Sequence, residues 1–426
     1  MLLVCTTAVV PGPSALAVGT PSPYAFAQDA RSVPGATSTT DAAPLELGAT
    51  YKSSLPSGGS LPSGGARVAY RLDLDATSDA YVSVTAIPAP GSTVKASDGI
   101  KVSVEDTDGH SCSLHTETFG VVRSPRPIAA WGAREISGKR LRCKRAGTYY
   151  VVVERVGTAA AAPDPWDLEL FTTSEPPRKQ AGTTRAPEEW NSASPAPLTG
   201  DDVRSEGGAG FASAASTGRG VWSSDIEPGR TIFYKVPLDW GRQLYATAEL
   251  GSSNSGDSST VGALNLSLYN PVRGFVDDAS ANYDGRQTAA ELDPLPPVAY
   301  ENRYAIPQRH RGMRFAGSYY LVVHLAADVA EKHGDGPFGV TLRVRVEGQA
   351  QAGPGYAGEP KPGGVFGVAA GEEEAAAGGG IRAGRGDADG GAAMAVLAVS
   401  GIGTGTVVLV VLAVWVVVAR RGVGVR

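Results

Sequence analysis

The chain of 426 residues has little cysteine, methionine or histidine: three Cys, three Met and five His. The two cysteines of the body, with the scattered His110 and His115, offer too few soft ligands for a zinc site. Charge is also sparse, with 38 Lys+Arg against 43 Asp+Glu for a net −5, which excludes a polyanion binder, so no nucleic-acid partner is expected. Catalytic signatures are missing too. There is no Gly-x-Ser-x-Gly, no His-Glu-x-x-His and no cysteine left free as a nucleophile, and His110, His115, His310, His324 and His333 have no paired acids at useful spacing. The chain therefore reads as a non-enzyme without a cofactor. Aromatics make up only 7%. No stretch of the body sustains a capped amphipathic helical period.

Glycine and proline are abundant instead, 55 and 30 residues, about a fifth of the chain. That composition belongs to short strands joined by turns and flexible linkers. The two ends fix the compartment. Met1–Val10 is apolar, and Ala25-Phe26-Ala27 before Gln28 has the small-x-small form of a signal peptidase site, which predicts a signal peptide over 1–27 cut between Ala27 and Gln28. No Lys or Arg precedes Arg31 to supply a positive leader end. Residues 394–419 carry no charge and as a helix would extend about 39 Å, enough to cross a hydrocarbon core of about 30 Å. Arg420 and Arg421 follow at once, while acidic residues dominate 371–393. The arginine bias predicts a single-pass cell-membrane protein, C-terminus cytoplasmic and the bulk of the chain outside, with lipid contact through that one span. In an exported chain Cys112 and Cys143 are expected to form a disulfide.

The body repeats itself. Tyr70–Asp75 answers Tyr234–Asp239, Ile100–Val104 answers Leu264–Leu268, Ala146–Val153 answers Ala316–Val323, and Trp166–Leu170 answers Val340–Val346. Order and spacing are kept, so two copies of one domain are expected over 41–175 and 205–348. Alternation with period two, as in Leu342, Val344 and Val346 against Arg343 and Arg345, marks half-buried antiparallel strands. The fold class is all-β: two tandem antiparallel β-sandwiches. Between them 176–204 is a Pro-rich linker. Residues 28–40 and the Gly/Ala-rich stalk 349–393 are expected to be disordered, since they hold few large apolar side chains.

The Asp106-Thr107-Asp108-Gly109 turn and the Ala-Gly-Thr-Tyr-Tyr and Ala-Gly-Ser-Tyr-Tyr strands resemble those of bacterial pre-peptidase C-terminal domains. In the second unit Asn270-Pro271-Val272-Arg273-Gly274 departs from the Asp-x-Asp-Gly turn of that pattern. The layout of leader, two sandwiches, stalk, span and basic tail is similar to surface proteins of high-GC Gram-positive bacteria. The resemblance implies a non-catalytic accessory module.

The aspartates at 106 and 108, and at 277, 278 and 284, are hard oxygen donors suited to Ca²⁺, although the Asp108-Gly109 turn accounts for the first pair by itself. Arg385-Gly386-Asp387 is near to what its composition generates, and Gly401 and Gly405 have a helix-packing spacing. Two functions fit: sandwiches that bind an exported protein or a cell-wall glycan, or an accessory, chaperone-like subunit of a membrane secretion or proteolysis system. A glycan binder would need exposed aromatic platforms, for which Trp131, Trp222 and Trp240 are the candidates.

Overall fold

The computed structural model describes residues 24–58, 65–89, 91–136, 142–158, 164–196, 198–253 and 258–378. The apolar stretch 394–419, Arg420 and Arg421, Arg385-Gly386-Asp387, Gly401, Gly405 and most of the expected leader lie outside the described residues. Among the described residues no helix is long and apolar enough to cross a membrane.

The first sandwich is built from β1 (Arg31–Ser32), β2 (Ala43–Leu45), β3 (Thr50–Leu55), β4 (Arg67–Leu74), β5 (Asp79–Ile87), β6 (Gly99–Asp106), β7 (Ser111–Thr118), β8 (Ile128–Arg134), β9 (Gly147–Val156) and β10 (Trp166–Glu175). The second uses β11 (Val203–Arg204), β12 (Ala215–Ser216), β13 (Gly220–Ile226), β14 (Thr231–Leu238), β15 (Gln243–Leu250), β16 (Thr260–Tyr269), β17 (Phe275–Tyr283), β18 (Thr288–Glu291), β19 (Gly317–Leu325) and β20 (Phe338–Glu347). Their topologies are the same. Sheets β1-β3-β10-β5-β8 and β2-β4-β9-β6-β7 are repeated as β11-β13-β20-β15-β18 and β12-β14-β19-β16-β17. In each copy the two short entry strands pair parallel and the other neighbours antiparallel. Even the register repeats: Tyr70 sits opposite Val151 as Tyr234 sits opposite Leu321. Each of the four matched sequence segments lies on the equivalent strand of its own sandwich.

The cores follow from the alternation. Leu72, Leu74, Val102, Val104, Val151, Val153, Leu168 and Leu170 meet inside the first sandwich, and Val236, Leu238, Leu266, Leu268, Leu321, Val323, Leu342 and Val344 inside the second. On β10 the alternate side chains do not face water as a half-buried strand predicts, because Glu169, Thr173 and Glu175 are buried as deeply as Leu168 and Leu170. A second layer covers them. The outer face of sheet β1-β3-β10-β5-β8 packs on the second sandwich through clusters that mix residues of both, Ile87 and Ala129 with Phe233, Tyr269 and Val322 in one, Tyr81 and Trp131 with Val272 and Phe315 in another.

Two segments differ from the expectation of disorder, and the Pro-rich linker is fixed in place. Within 28–40, β1 pairs with β3, and Val33 donates its N–H to Lys52 O. The linker 176–204 is held by arginines of β20: Arg345 donates to Ala196 O at 2.6 Å and Arg343 to Leu198 O at 2.7 Å. Residues 349–378 fold back as a strap that exchanges two hydrogen bonds between Lys361 and Ser174 at the end of β10, and ends in helix α1 (Ala370–Ala377), where Ala376 O accepts from Gly218 N–H. Composition misleads here because the few large side chains of the strap are well placed. Phe366 stacks on Phe315 with centroids 5.0 Å apart, and Tyr356 bonds to Glu175.

Candidate functional site

The densest chemistry lies at the seam between the sandwiches. Acids come from the first and arginines from the second. Glu169 projects from the middle of β10 with no exposed surface, and accepts from Arg273 Nη1 at 2.6 Å. Arg273 stands in the Asn270–Gly274 turn, where it adopts φ +57°, and Asn270 fixes that turn by accepting from Gly274 N–H at 2.9 Å. The turn that departs from the repeat pattern is the one that enters the seam. Glu169 also accepts from the Tyr24 hydroxyl and from Ala27 N–H, each at 2.9 Å, so both of its oxygens are used.

At the strap end, Arg303 donates to Glu175 Oε1 at 2.7 Å and lies 3.4 Å from Asp79 Oδ2. The Tyr81 hydroxyl donates to the other Glu175 oxygen at 2.7 Å, and the Tyr356 hydroxyl adds a bond at 2.9 Å. Burial and the charge of Glu175 push the Asp79 carboxyl up to about 6, with Arg303 opposing. A third arginine, Arg314, pairs with Glu135 at 2.6 Å and lies over the rings of Tyr81, Trp131 and Phe315. Buried ion pairs of this kind contribute little net stability. Breaking one by removing a partner is expensive, so they fix how two surfaces seat.

Near the third corner Glu117 of β7 faces Arg126 and Asp278 of β17. Burial pushes its carboxyl up to about 8, Asp278 adds to that, and Arg126 pulls the other way. A cleft of about 580 Å³ opens where the strap crosses the seam, lined among others by Phe171 of β10, Lys235, Pro271, Tyr320 and Glu372. Its walls offer aromatic faces, one cation and one carboxylate.

The residues picked out by sequence fall out differently. Cys112 and Cys143 form a disulfide with Cα atoms 5.8 Å apart. Trp131, Trp222 and Trp240 are all buried and present no open platform: Trp131 stacks on His115 at 4.8 Å, Trp222 donates to Gly218 O, and Trp240 packs beside Gly353 of the strap. Asp106, Asp108 and His110 do come together, their ligand atoms within 4.8 Å, but Asp106 Oδ1 accepts from the N–H groups of Asp108 and His110, as the turn requires. Asp277 pairs with Arg309, Asp278 with Asn265, and Asp284 closes a turn with Arg286 N–H. His324 is a core histidine, bonded through Nδ1 to Thr231 at 2.9 Å and pushed down to about 3 by burial and Arg126. Ala27 and Gln28, the expected cleavage point, lie at the seam and next to it.

Sequence reading missed Asp79, Glu135, Glu169, Glu175, Arg273, Arg303 and Arg314 altogether. Each looks like an ordinary surface charge, and only Glu169 and Arg314 stand between two large apolar neighbours. Only the departure of Asn270–Gly274 from its counterpart signalled that anything was different there.

No protein-family model and no curated protein matches the chain. Among solved structures it is similar to the tandem CBM22-1–CBM22-2 domains of Paenibacillus barcinonensis Xyn10C, at 10% identity over 71% of this chain and 92% of that one, with a TM-score of 0.18. A Parabacteroides distasonis protein described as secreted matches at 7% identity over 71% and 89%, TM-score 0.16. The M60 catalytic domain with CBM51-1 and CBM51-2 of Clostridium perfringens ZmpB matches at 11% identity over 67% of this chain and 34% of that one, TM-score 0.17. Scores this low carry no inference about ligand or activity.

Proposed function

We propose that the protein is a non-catalytic, membrane-anchored protein of the outer cell surface, whose two β-sandwiches act as one rigid body that binds an exported protein or a cell-wall glycan. The observation that carries this reading is the seam. Three arginines of the second sandwich engage four carboxylates of the first, at Arg273–Glu169, Arg303–Asp79 and Glu175, and Arg314–Glu135. A surface held rigid in this way loses little conformational entropy when it engages a ligand. The disulfide suits an oxidising compartment, and the apolar run 394–419 with Arg420 and Arg421 behind it supplies the anchor.

Between the two ligand classes the geometry favours a protein. Trp131, Trp222 and Trp240 are built into the cores and the seam, and the half-buried Trp190 of the linker has its ring edge-on to His310. The exposed large apolar side chains among the described residues are mostly aliphatic, Leu114, Val121, Val203, Val261 and Ile306, with Tyr304 the one aromatic. Protease treatment of intact cells should remove the ectodomain, and an ectodomain that survives would overturn the orientation. The ligand is read by two assays run side by side: cross-linking on intact cells with mass spectrometry, and sedimentation of the ectodomain with purified cell walls. Recurrent cross-links to one exported protein support a protein ligand, whereas saturable sedimentation with the walls would move the assignment to a glycan.

A further inference from the structure

We infer that the mature chain keeps Tyr24–Ala27 as a wedge between the sandwiches, so that export processing falls upstream of Tyr24 and not between Ala27 and Gln28. This rests on the export reading above. Tyr24 is only 1% exposed. Its ring meets Phe26 and Phe233 edge-on, with centroids 5.2 and 5.8 Å away, and its hydroxyl donates to Glu169 of the first sandwich. Ala25 N–H donates to Ala209 O of the second sandwich at 2.9 Å. Two residues on, Ala27 N–H donates to the other oxygen of Glu169. The facing backbone is shaped for this segment: a Cβ on Gly210 would stand 2.2 Å from Ala25 O, so only glycine allows the approach.

Four residues thus touch both sandwiches and supply two of the three hydrogen bonds that Glu169 receives. Cutting after Ala27 would take away the tyrosine and the phenylalanine, open an apolar hole beside Phe211 and Phe233, and leave Glu169 with Arg273 alone. Loss of a buried ring of that size and of bonds to a buried carboxylate is among the larger single penalties a fold can suffer. A peptidase cut that removes a structural element of its own product is a poor reading of the small-x-small pattern.

The sequence holds another site of that form. Ala15-Leu16-Ala17 follows the apolar run and the Pro11/Pro13 break and has the same small-x-small form. Hydrolysis there splits the Ala17–Val18 amide with one water, the hydroxyl going to the Ala17 carboxyl and the hydrogen to the new Val18 amine. Six residues then precede Tyr24.

The test is N-terminal peptide mapping and intact mass of the full protein taken from the host membrane, with surface protease digestion of the same cells. A first residue between Val18 and Tyr24 is the expected result. A start at Gln28 on a protease-accessible protein overturns this inference while the export reading stands. A chain retaining Met1 and protected in intact cells overturns both. Independently, Tyr24→Ala in the full chain should lower the melting temperature by about 5 °C or more, with Tyr24→Phe intermediate. An unchanged melting temperature in both variants would show that the segment is no wedge.

Discussion

Glu117 is a half-buried carboxyl that binds its proton more tightly in the fold than in the unfolded chain. In the unfolded chain it releases its proton near 4.5, whereas in the folded protein it keeps it up to about 8. The folded state therefore binds more protons across that window, and the stability linked to this group is complete below 4.5 and lost as pH rises toward 8. Glu117→Gln should flatten this part of the stability profile between pH 5 and 8 and gain about 2 kcal/mol over the parent at pH 8, read by denaturant titration at several pH values. A variant that parallels the parent at every pH would show that Glu117 does not carry the effect. Glu169 and Arg273 pose the opposite case. Arg273→Met leaves a carboxylate with no exposed surface facing no cation, and should cost about 3–5 kcal/mol. Adding Glu169→Leu to it should recover a large part of that loss, since the uncompensated charge goes with the acid.

At the scale of elements, the disulfide joins β7 to the turn before β9, closing a loop with a sequence separation of 31. Replacing Cys112 and Cys143 by Ser should lower stability by roughly 3–4 kcal/mol through the freer unfolded chain. The second sandwich reaches the same topology with no cysteine, so the double variant should keep its native circular dichroism at 25 °C. Loss of that spectrum would mean the bridge is required for folding. The strap is the other decisive element. Ending the chain after Gly348 removes Tyr356 from Glu175 and Phe366 from Phe315, which uncovers one end of the seam. Calorimetry should then show a lower transition temperature, and an unshifted one would mean that the strap is only laid on the surface.

For residues 24–378 as a whole, the seam decides how the protein unfolds. Two sandwiches on a flexible linker would melt one after the other. With Glu169, Glu175, Tyr81 and Trp131 of one sandwich buried against the other, separating them exposes charge pairs and aromatic surface together. A single calorimetric transition is expected for the native protein, with calorimetric and van't Hoff enthalpies in agreement. Two resolved transitions in the native protein would contradict a locked seam. Arg273→Met should split or broaden that peak.

The sequence by itself determined the strands and their repetition, because period-two alternation such as Leu342-Arg343-Val344-Arg345-Val346 is a local property of a pleated chain with one buried face. It also determined the pairing of the only two cysteines of the body, by elimination. What only the tertiary structure decided is what the polar face of each strand meets. Asp167 and Glu169 read alike in the sequence, yet Asp167 is exposed and Glu169 has no exposed surface, because the Asn270–Gly274 turn of a domain about a hundred residues away sits over one and not the other. The same holds for Tyr24–Ala27, which reads as a cleavage motif and is built into a wedge, and for residues 349–378, which read as a stalk and fold into a strap. Local patterns register burial against a segment's own sheet. Burial against a partner layer depends on long-range docking, in which a handful of side chains outweighs the composition of the segment that carries them.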